Sequence, residues 1–198
     1  WYSKLAPRTE FANMPRITGE VKSMIDPSVP PPDPAPARTV AGTEVPERFG
    51  AKDVFDLSWK SLMDAYSCTE CGRCTSECPA NLTGKLLSPR KIMMDTRDRL
   101  EEVGEAIDAK GKWEDDGQSL HSRISEEELW ACTTCNACTQ ACPVNIDPVS
   151  IIMEMRRYKV MEESSTRPAL TSMFNNVENN GAPWAFGADR RMEWTQDA

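Results

Sequence analysis

The sequence predicts an all-α protein in which two similar halves follow an extended N-terminal arm. Two runs of four cysteines share one spacing, each run is followed by a helix that begins at a proline, and no segment alternates as a strand would. We divide the chain into a Pro-rich arm over 1–46, a helical domain over 47–165, and a C-terminal helix with a tail over 166–198.

The arm is rich in proline. Its run PSVPPPDPAPAR at 27–38 lacks many of the backbone N–H groups that a helix or a sheet requires, which favours an extended polyproline II conformation. We interpret this run as a spacer or a strap on the surface of the domain. A ligand for a proline-recognition domain is the alternative.

One helix is predicted directly before each cysteine run. Apolar residues at helical spacing begin near Asp53 and end at Tyr66, just before the first run. Ser125 followed three residues later by Glu128 is a capping box, which predicts the start of the helix that leads into the second run.

A second helix is predicted after each cysteine run. Ser88-Pro89 and Asp147-Pro148 each place a capping residue before a proline at the first helical position. The first half has five more residues than the second between its cysteines and this helix start. A last helix is predicted near 167–178, with a stop at Gly181.

All eight cysteines lie in two runs with the spacing C-x2-C-x2-C-x3-C-P. The runs are CTECGRCTSECP at 68–79 and CTTCNACTQACP at 132–143. Bacterial ferredoxins with two [4Fe–4S] clusters have this spacing. Three cysteines at three-residue intervals can bind one cubane, whereas the fourth lies too far along to close the same cluster and reaches the other one.

We therefore predict that each cluster takes ligands from both halves. The first cluster is expected to bind Cys68, Cys71, Cys74 and Cys142. The second cluster is expected to bind Cys132, Cys135, Cys138 and Cys78. Because this exchange joins the halves, we expect the protein without its clusters to be poorly folded.

Cysteines can also bind structural zinc or form disulfides. Structural zinc sites usually use two separated C-x2-C pairs, not two runs of four that each end in proline. Disulfides require an oxidising compartment, and nothing in the sequence indicates secretion. Both remain alternatives to iron–sulfur ligation at this point.

The two cysteine runs differ in the residues between their cysteines. Gly72 and Asn136 occupy equivalent positions, and so do Arg73 and Ala137. Reduction makes a cluster more negative, and a nearby cation stabilises that state. Arg73 therefore leads us to expect the higher reduction potential at the first cluster.

The composition argues against several function classes. A formal net charge of -8 is unlike the basic surface of a nucleic-acid-binding protein, and it suits a basic patch on a protein partner. No apolar stretch is long enough to span a bilayer. His121, the single histidine, is expected in an exposed loop. The sequence contains no catalytic constellation, so we expect no independent substrate site.

Two long segments carry a resemblance to a known family. They are CTECGRCTSECPANLTGKLLSPRKIMMDTRDR and ELWACTTCNACTQACPVNIDPVSIIMEMRRYKVMEES. The chain resembles the di-cluster domain of heterodisulfide-reductase-type Fe–S oxidoreductases, over roughly residues 53–194. Similar proteins include the C-type and D-type polypeptides of heterodisulfide reductase and the Fe–S components of glycolate, lactate and glycerol-3-phosphate oxidations.

The resemblance implies an α-helical ferredoxin fold with two [4Fe–4S] clusters that transfer single electrons. It implies a flavoprotein or dehydrogenase on one side. On the other side it implies a quinone- or thiol-reducing partner, such as a CCG domain or a membrane cytochrome-like subunit. The expected location is the cytoplasm, at the inner face of the membrane through such a partner. A structural or redox-sensing module that passes no electrons is the alternative function.

Overall fold

The computed structural model describes residues 15–33, 38–40, 43–45 and 48–196. Contacts divide them into two compact units, one that ends at Glu162 and one that begins at Glu163. The protein is mostly helical, and its strands in the described ranges form one short hairpin, so the predicted all-α class is confirmed. The predicted domain boundaries at 46 and 165 remain predictions.

Two short elements lie within the predicted arm. Helix α1 spans Pro15–Ile25, and strands β1 (Arg38–Val40) and β2 (Thr43–Val45) form an antiparallel hairpin. The sequence analysis predicted neither. Pro15 stands at the helix start, where no backbone N–H is needed, and three-residue strands are too short for alternation to be seen. The described proline-rich residues 27–33 are irregular, whereas 34–37 lie outside the described residues.

The first half of the domain contains four α-helices: α2 (Trp59–Ser67), α3 (Arg73–Ser76), α4 (Pro79–Leu82) and α5 (Pro89–Lys110). The second half contains α6 (Glu126–Ala131), α7 (Ala137–Ala141) and α8 (Pro148–Arg157), which continues into a π-helical turn (Tyr158–Glu162). Short 3-10 helices lie at Val54–Asp56 and Leu120–Ser122. Helix α4 accounts for most of the additional length of the first half.

The three predicted helix starts are confirmed by their capping contacts. The Ser88 side chain accepts a hydrogen bond from the backbone of α5, and Asp147 accepts two from the first turn of α8. At α6, Ser125 and Glu128 form the predicted reciprocal capping box. Local sequence therefore determines where the helices that flank each cysteine run begin.

Helix α5 lies at the centre of the first unit, because both α2 and α8 pack against it. Its apolar face buries Ile92 and Met93, and α8 buries Ile152 and Met155. These side chains form one core with Leu129 of α6. Helix packing thus places the ends of α2 and α6, from which the two cysteine runs emerge, on one framework.

The largest fully buried side chain in the described part of the chain is a cation. Arg99 of α5 is 0% exposed and donates hydrogen bonds to Asp53, to Asp116 and to the Gln118 carbonyl. Its guanidinium also lies 5.5 Å from the ring centre of Trp113. One side chain therefore fixes both the segment before α2 and the loop after α5 against the central helix.

The segment before α2 also crosses the C-terminal end of α8. Ala51 N donates to the Glu154 carbonyl at 2.9 Å, and Gly50 adopts a positive φ of 85° beside it. His121 does not lie free in an exposed loop as expected. It is half-buried, with Nε2 3.1 Å from the Ala51 carbonyl oxygen and its ring 5.2 Å from that of Tyr158.

The second unit contains helix α9 (Pro168–Asn180) and a 3-10 helix (Ala188–Thr195). Helix α9 ends at Gly181, which has a left-handed conformation, so the predicted helix and its stop are confirmed. Among the described residues, no helix has both the length and the apolar character that crossing a membrane requires.

Candidate iron–sulfur centres

The two cysteine runs have the same backbone conformation. Each follows a helix that ends at its first cysteine, Cys68 or Cys132. Positive φ angles then recur at equivalent positions, 56° at both Glu70 and Thr134, and 79° and 60° at Gly72 and Asn136. Glycine and asparagine tolerate this left-handed region better than other residues. The sequence repeat is therefore also a conformational repeat.

An equivalent contact ties each run to the helix that follows it. Thr75 Oγ1 lies 2.9 Å from the Ser88 hydroxyl, and Thr139 Oγ1 donates to Asp147 Oδ1 at 3.2 Å. Each threonine directly follows the third cysteine of its run. Its partner is the N-cap of a long helix that begins at a proline, Ser88 for α5 and Asp147 for α8. Because α3 and α7 also contact each other, the two runs lie side by side.

The first three cysteines of the first run border one recess. The fourth cysteine of the other run, Cys142, lies on the same recess as Cys68, Cys71 and Cys74. Its walls are largely apolar and include Met93, Val144 and Ile146. Cys138 also borders this recess, which places it between the two cysteine groups.

Cys78 is an electrostatic neighbour of two cysteines of the second run. Burial, with smaller contributions from the Cys132 and Cys78 sulfurs, raises the pKa of the Cys138 thiol to about 12. Burial also raises the pKa of Cys132, and the charges of Cys78 and Cys135 add to that effect. Cys78 belongs to the first run by sequence, but its electrostatic neighbours are cysteines of the second run.

The donor set fits a group that carries positive metal charge. In the first group, burial raises the pKa of the Cys74 thiol, and charges on Cys68 and Cys142 add to this effect. Thiols must lose their protons to bind metal, and several buried thiolates repel one another unless cations lie between them. All eight cysteines are free, so none is used in a disulfide.

Backbone N–H groups point at two of the sulfurs. Thr134 N donates to Cys132 Sγ and Ile146 N donates to Cys142 Sγ, each at 3.4 Å. Such bonds favour a charged sulfur and help to set the potential of a bound cluster. In the part of the chain that is described, no three His, Cys, Asp or Glu side chains are arranged to hold a single metal ion.

The sequence analysis missed a guanidinium beside the second run. Arg156 of α8 donates from Nε and Nη2 to the Leu129 carbonyl, and from Nη2 to the Cys132 carbonyl at 2.6 Å. Its Cζ atom lies 5.0 Å from the ring centre of Trp130. Burial lowers the pKa of Arg156, and the charge on the Cys132 sulfur opposes this effect. Only packing of α8 against α6 produces this arrangement.

A buried polar chain links α2 to the second run. Lys60 Nζ donates to Asp64 at 2.7 Å, and the same Asp64 oxygen accepts from Asp147 N at 3.3 Å. The Asp147 side chain then accepts from Thr139, whose hydroxyl lies 3.8 Å from Cys138 Sγ. These contacts fix the cap of α8 and the second cysteine loop against the first half.

The family model of the 4Fe-4S dicluster domain matches residues 67–146, which contain all eight cysteines. The chain therefore contains a 4Fe-4S dicluster domain, which implies two [4Fe–4S] clusters. The zinc and disulfide alternatives are set aside by this match.

The chain is also similar to several curated proteins. The chain is 33% identical to the probable iron-sulfur-binding oxidoreductase FadF of Bacillus subtilis, over 78% of this chain and 26% of that protein. It is 31% identical to the EtfAB:quinone oxidoreductase of Syntrophomonas wolfei, over 83% of this chain and 26% of that protein. It is 34% identical to the C-type polypeptide of a CoB-CoM heterodisulfide reductase from Methanosarcina acetivorans, over 50% of this chain and 49% of that protein.

The chain is thus similar to iron–sulfur oxidoreductases and to heterodisulfide reductase polypeptides, the resemblance that the cysteine segments predicted. The dicluster domain and the names of these relatives support electron transfer through two [4Fe–4S] clusters. The chain spans about a quarter of the length of the first two relatives.

Proposed function

We propose that each cluster is bound crosswise, by three cysteines of one run and the fourth of the other. The observation that carries the proposal is the recess that Cys142 shares with Cys68, Cys71 and Cys74. The influence of Cys78 on the pKa values of Cys132 and Cys138 supports the reciprocal arrangement. Crosswise binding holds the two clusters close together, as short electron-transfer steps require.

Each bound cluster supplies one-electron chemistry, and the chain controls its surroundings. The buried Met93 side chain and the neighbouring Ile146 shield the first group from water. Cys71 and Cys135 are the exposed members of their groups, whereas the other six cysteines are buried or half-buried. These two equivalent positions are the points where electrons enter from one partner and leave to another.

We infer that the electron donor is a flavoprotein and that the acceptor is linked to a quinone. The support is the EtfAB:quinone oxidoreductase, whose name combines these two partners, together with its alignment over 83% of this chain. The heterodisulfide reductase relative supports a thiol-linked acceptor instead. In either case the substrate chemistry belongs to another domain or subunit. Because quinones dissolve in membranes, a quinone-linked acceptor places the protein at the inner membrane face.

The crosswise assignment is tested by four matched Cys→Ser variants in anaerobically purified protein. Iron and sulfide analysis of the parent protein should give about eight irons for two cubanes. An EPR-monitored reductive titration then follows two signals. We expect Cys142→Ser to perturb the same signal as Cys71→Ser, and Cys78→Ser the same signal as Cys135→Ser. If Cys78→Ser instead follows Cys71→Ser, each run binds its own cluster and the assignment is wrong.

The partner assignment needs a kinetic experiment. Reduced electron-transferring flavoprotein should reduce both clusters rapidly, and a soluble quinone should reoxidise them only when the acceptor domain or subunit is present. Clusters that never change oxidation state under any of these conditions would favour the alternative, a structural or redox-sensing module. Reoxidation of the reduced clusters by a disulfide-reducing partner, and not by the quinone-linked acceptor, would favour the heterodisulfide-type chemistry.

A further inference from the structure

The guanidinium of Arg156 has an unusual set of partners for a half-buried cation. Its contacts are neutral: the carbonyls of Leu129 and Cys132, the ring of Trp130 and, at 4.0 Å, the sulfur of Met153. Within the described ranges, no carboxylate lies at ion-pair distance from it. The adjacent Arg157, by contrast, pairs with Glu154.

The position of this cation is set by two helices. Arg156 lies on α8, and the carbonyls that it binds lie at the C-terminal end of α6, where Cys132 begins the second run. The charge of Arg156 acts on the Cys132 sulfur. Arginine keeps its charge at every physiological pH, and a half-buried charge is screened much less than an exposed one.

We propose that Arg156 raises the reduction potential of the second cluster and that its missing counter-charge is the cluster itself. The proposal rests on the proposed function only in that this cluster cycles between two oxidation states. Reduction takes one electron from the external donor, releases nothing and adds one negative charge to the cluster. A fixed cation beside Cys132 stabilises the reduced form more than the oxidised form, so the equilibrium constant for reduction increases.

Among the residues that the structure describes, the first cluster has no equivalent partner. Arg73 and Arg90 are exposed, and the acidic Glu70 on the rim of the first recess pairs with Arg97 at 2.7 Å. Exposed charges of opposite sign largely cancel and are screened by salt. The structure therefore favours the higher potential at the second cluster, the reverse of the order that Arg73 led us to expect from the sequence.

The test compares Arg156→Gln, Arg156→Lys and Arg73→Gln in EPR-monitored redox titrations of the holoprotein. Cys71→Ser and Cys135→Ser mark which signal belongs to which cluster, and neither assignment depends on the crosswise ligands. Arg156→Gln should lower the second potential by the equivalent of a tenfold fall in the reduction constant, about 59 mV for one electron. Arg156→Lys keeps the charge and should shift the potential less. Arg73→Gln should leave both potentials nearly unchanged.

A second pair of variants tests the charge without removing the carbonyl contacts of Arg156. Met153→Glu places a carboxylate three residues before Arg156 on the same helix, where it can pair with the guanidinium. Met153→Gln has a similar shape without the charge. Met153→Glu should lower the second potential and Met153→Gln should not. Either of two results overturns the proposal: equal shifts in Met153→Glu and Met153→Gln, or no shift of the second signal in Arg156→Gln. Because the two comparisons are independent, the loss of a cluster in one variant leaves the other comparison valid.

Discussion

Replacing Arg99 by methionine tests whether one buried cation holds the framework of the domain together. The substitution keeps much of the side-chain volume but removes all contacts of the guanidinium. Three of its hydrogen bonds go to Asp53, at 2.7–3.1 Å, and Asp53 also caps the 3-10 helix before α2. The side chain of Asp53 is 13% exposed, whereas that of Asp116 is 42% exposed.

These exposures decide the size of the effect. Asp116 can be hydrated again when Arg99 is lost, so its share of the cost is small. The buried Asp53 cannot be hydrated in this way, and an uncompensated buried charge typically costs about 3–5 kcal/mol. We therefore expect Arg99→Met to remove about 3–5 kcal/mol of the roughly 5–15 kcal/mol that stabilises a domain.

The assay is urea unfolding of the anaerobic holoprotein, followed by the loss of helical circular dichroism. The control is Arg97→Met on the same helix, because Arg97 is paired with the exposed Glu70 and should cost less than about 1 kcal/mol. In the double variant Asp53→Asn/Arg99→Met neither charge remains, so the loss should be smaller than the sum of the single losses. Additive losses, or an Arg99→Met effect no larger than the control, would refute this reasoning.

Two further predictions concern the segment around Gly50 and the start of α6. In Gly50→Ala, the new Cβ would lie 2.3 Å from the Glu154 carbonyl oxygen at a φ of 85°, so we expect a lower urea midpoint. Gly104→Ala in the middle of α5 is the control, because a Cβ there meets no atom within 4 Å. Burial acts to raise the pKa of Glu128, but hydrogen bonds from Ser125 and Lys91 outweigh it and hold that pKa below its usual value. A lowered folded pKa gives stability that is present above the unfolded pKa of about 4.3 and is lost as the pH falls through the folded value. The urea midpoint of Glu128→Gln should therefore lie below that of the parent at pH 7, and the difference should shrink as the pH falls below about 4.3. A difference that stays constant or grows in acid would contradict the capping role.

The candidate site was predicted from sequence to an unusual extent because iron–sulfur ligation is a local pattern. The spacing of each run and the proline after its last cysteine indicated two cubanes without any knowledge of packing. Capping is equally local, so Ser88, Ser125 and Asp147 predicted three helix starts correctly. The resemblance to the heterodisulfide-type family rested on the same segments.

Other features could not be predicted because they join residues that are far apart in the chain. His121 was expected in solvent, but it packs on the segment around Ala51, which is 70 residues away. Local sequence does not reveal the burial of Arg99, because its partners Asp53 and Asp116 are 46 and 17 residues away. The hairpin was missed because its three-residue strands are too short to show alternation.

The sequence by itself determined the cofactor class, the helical repeat and the starts of the helices that flank each cysteine run, since each depends on residues within a few positions of one another. Only the tertiary structure decided which cysteines share a recess, which side chains are buried, and which arginine contacts a cysteine run. Electrostatic effects depend on distance through space and on shielding from water. Arg73 is adjacent to Cys74 in sequence but exposed, whereas Arg156, 24 residues from Cys132, reaches its carbonyl.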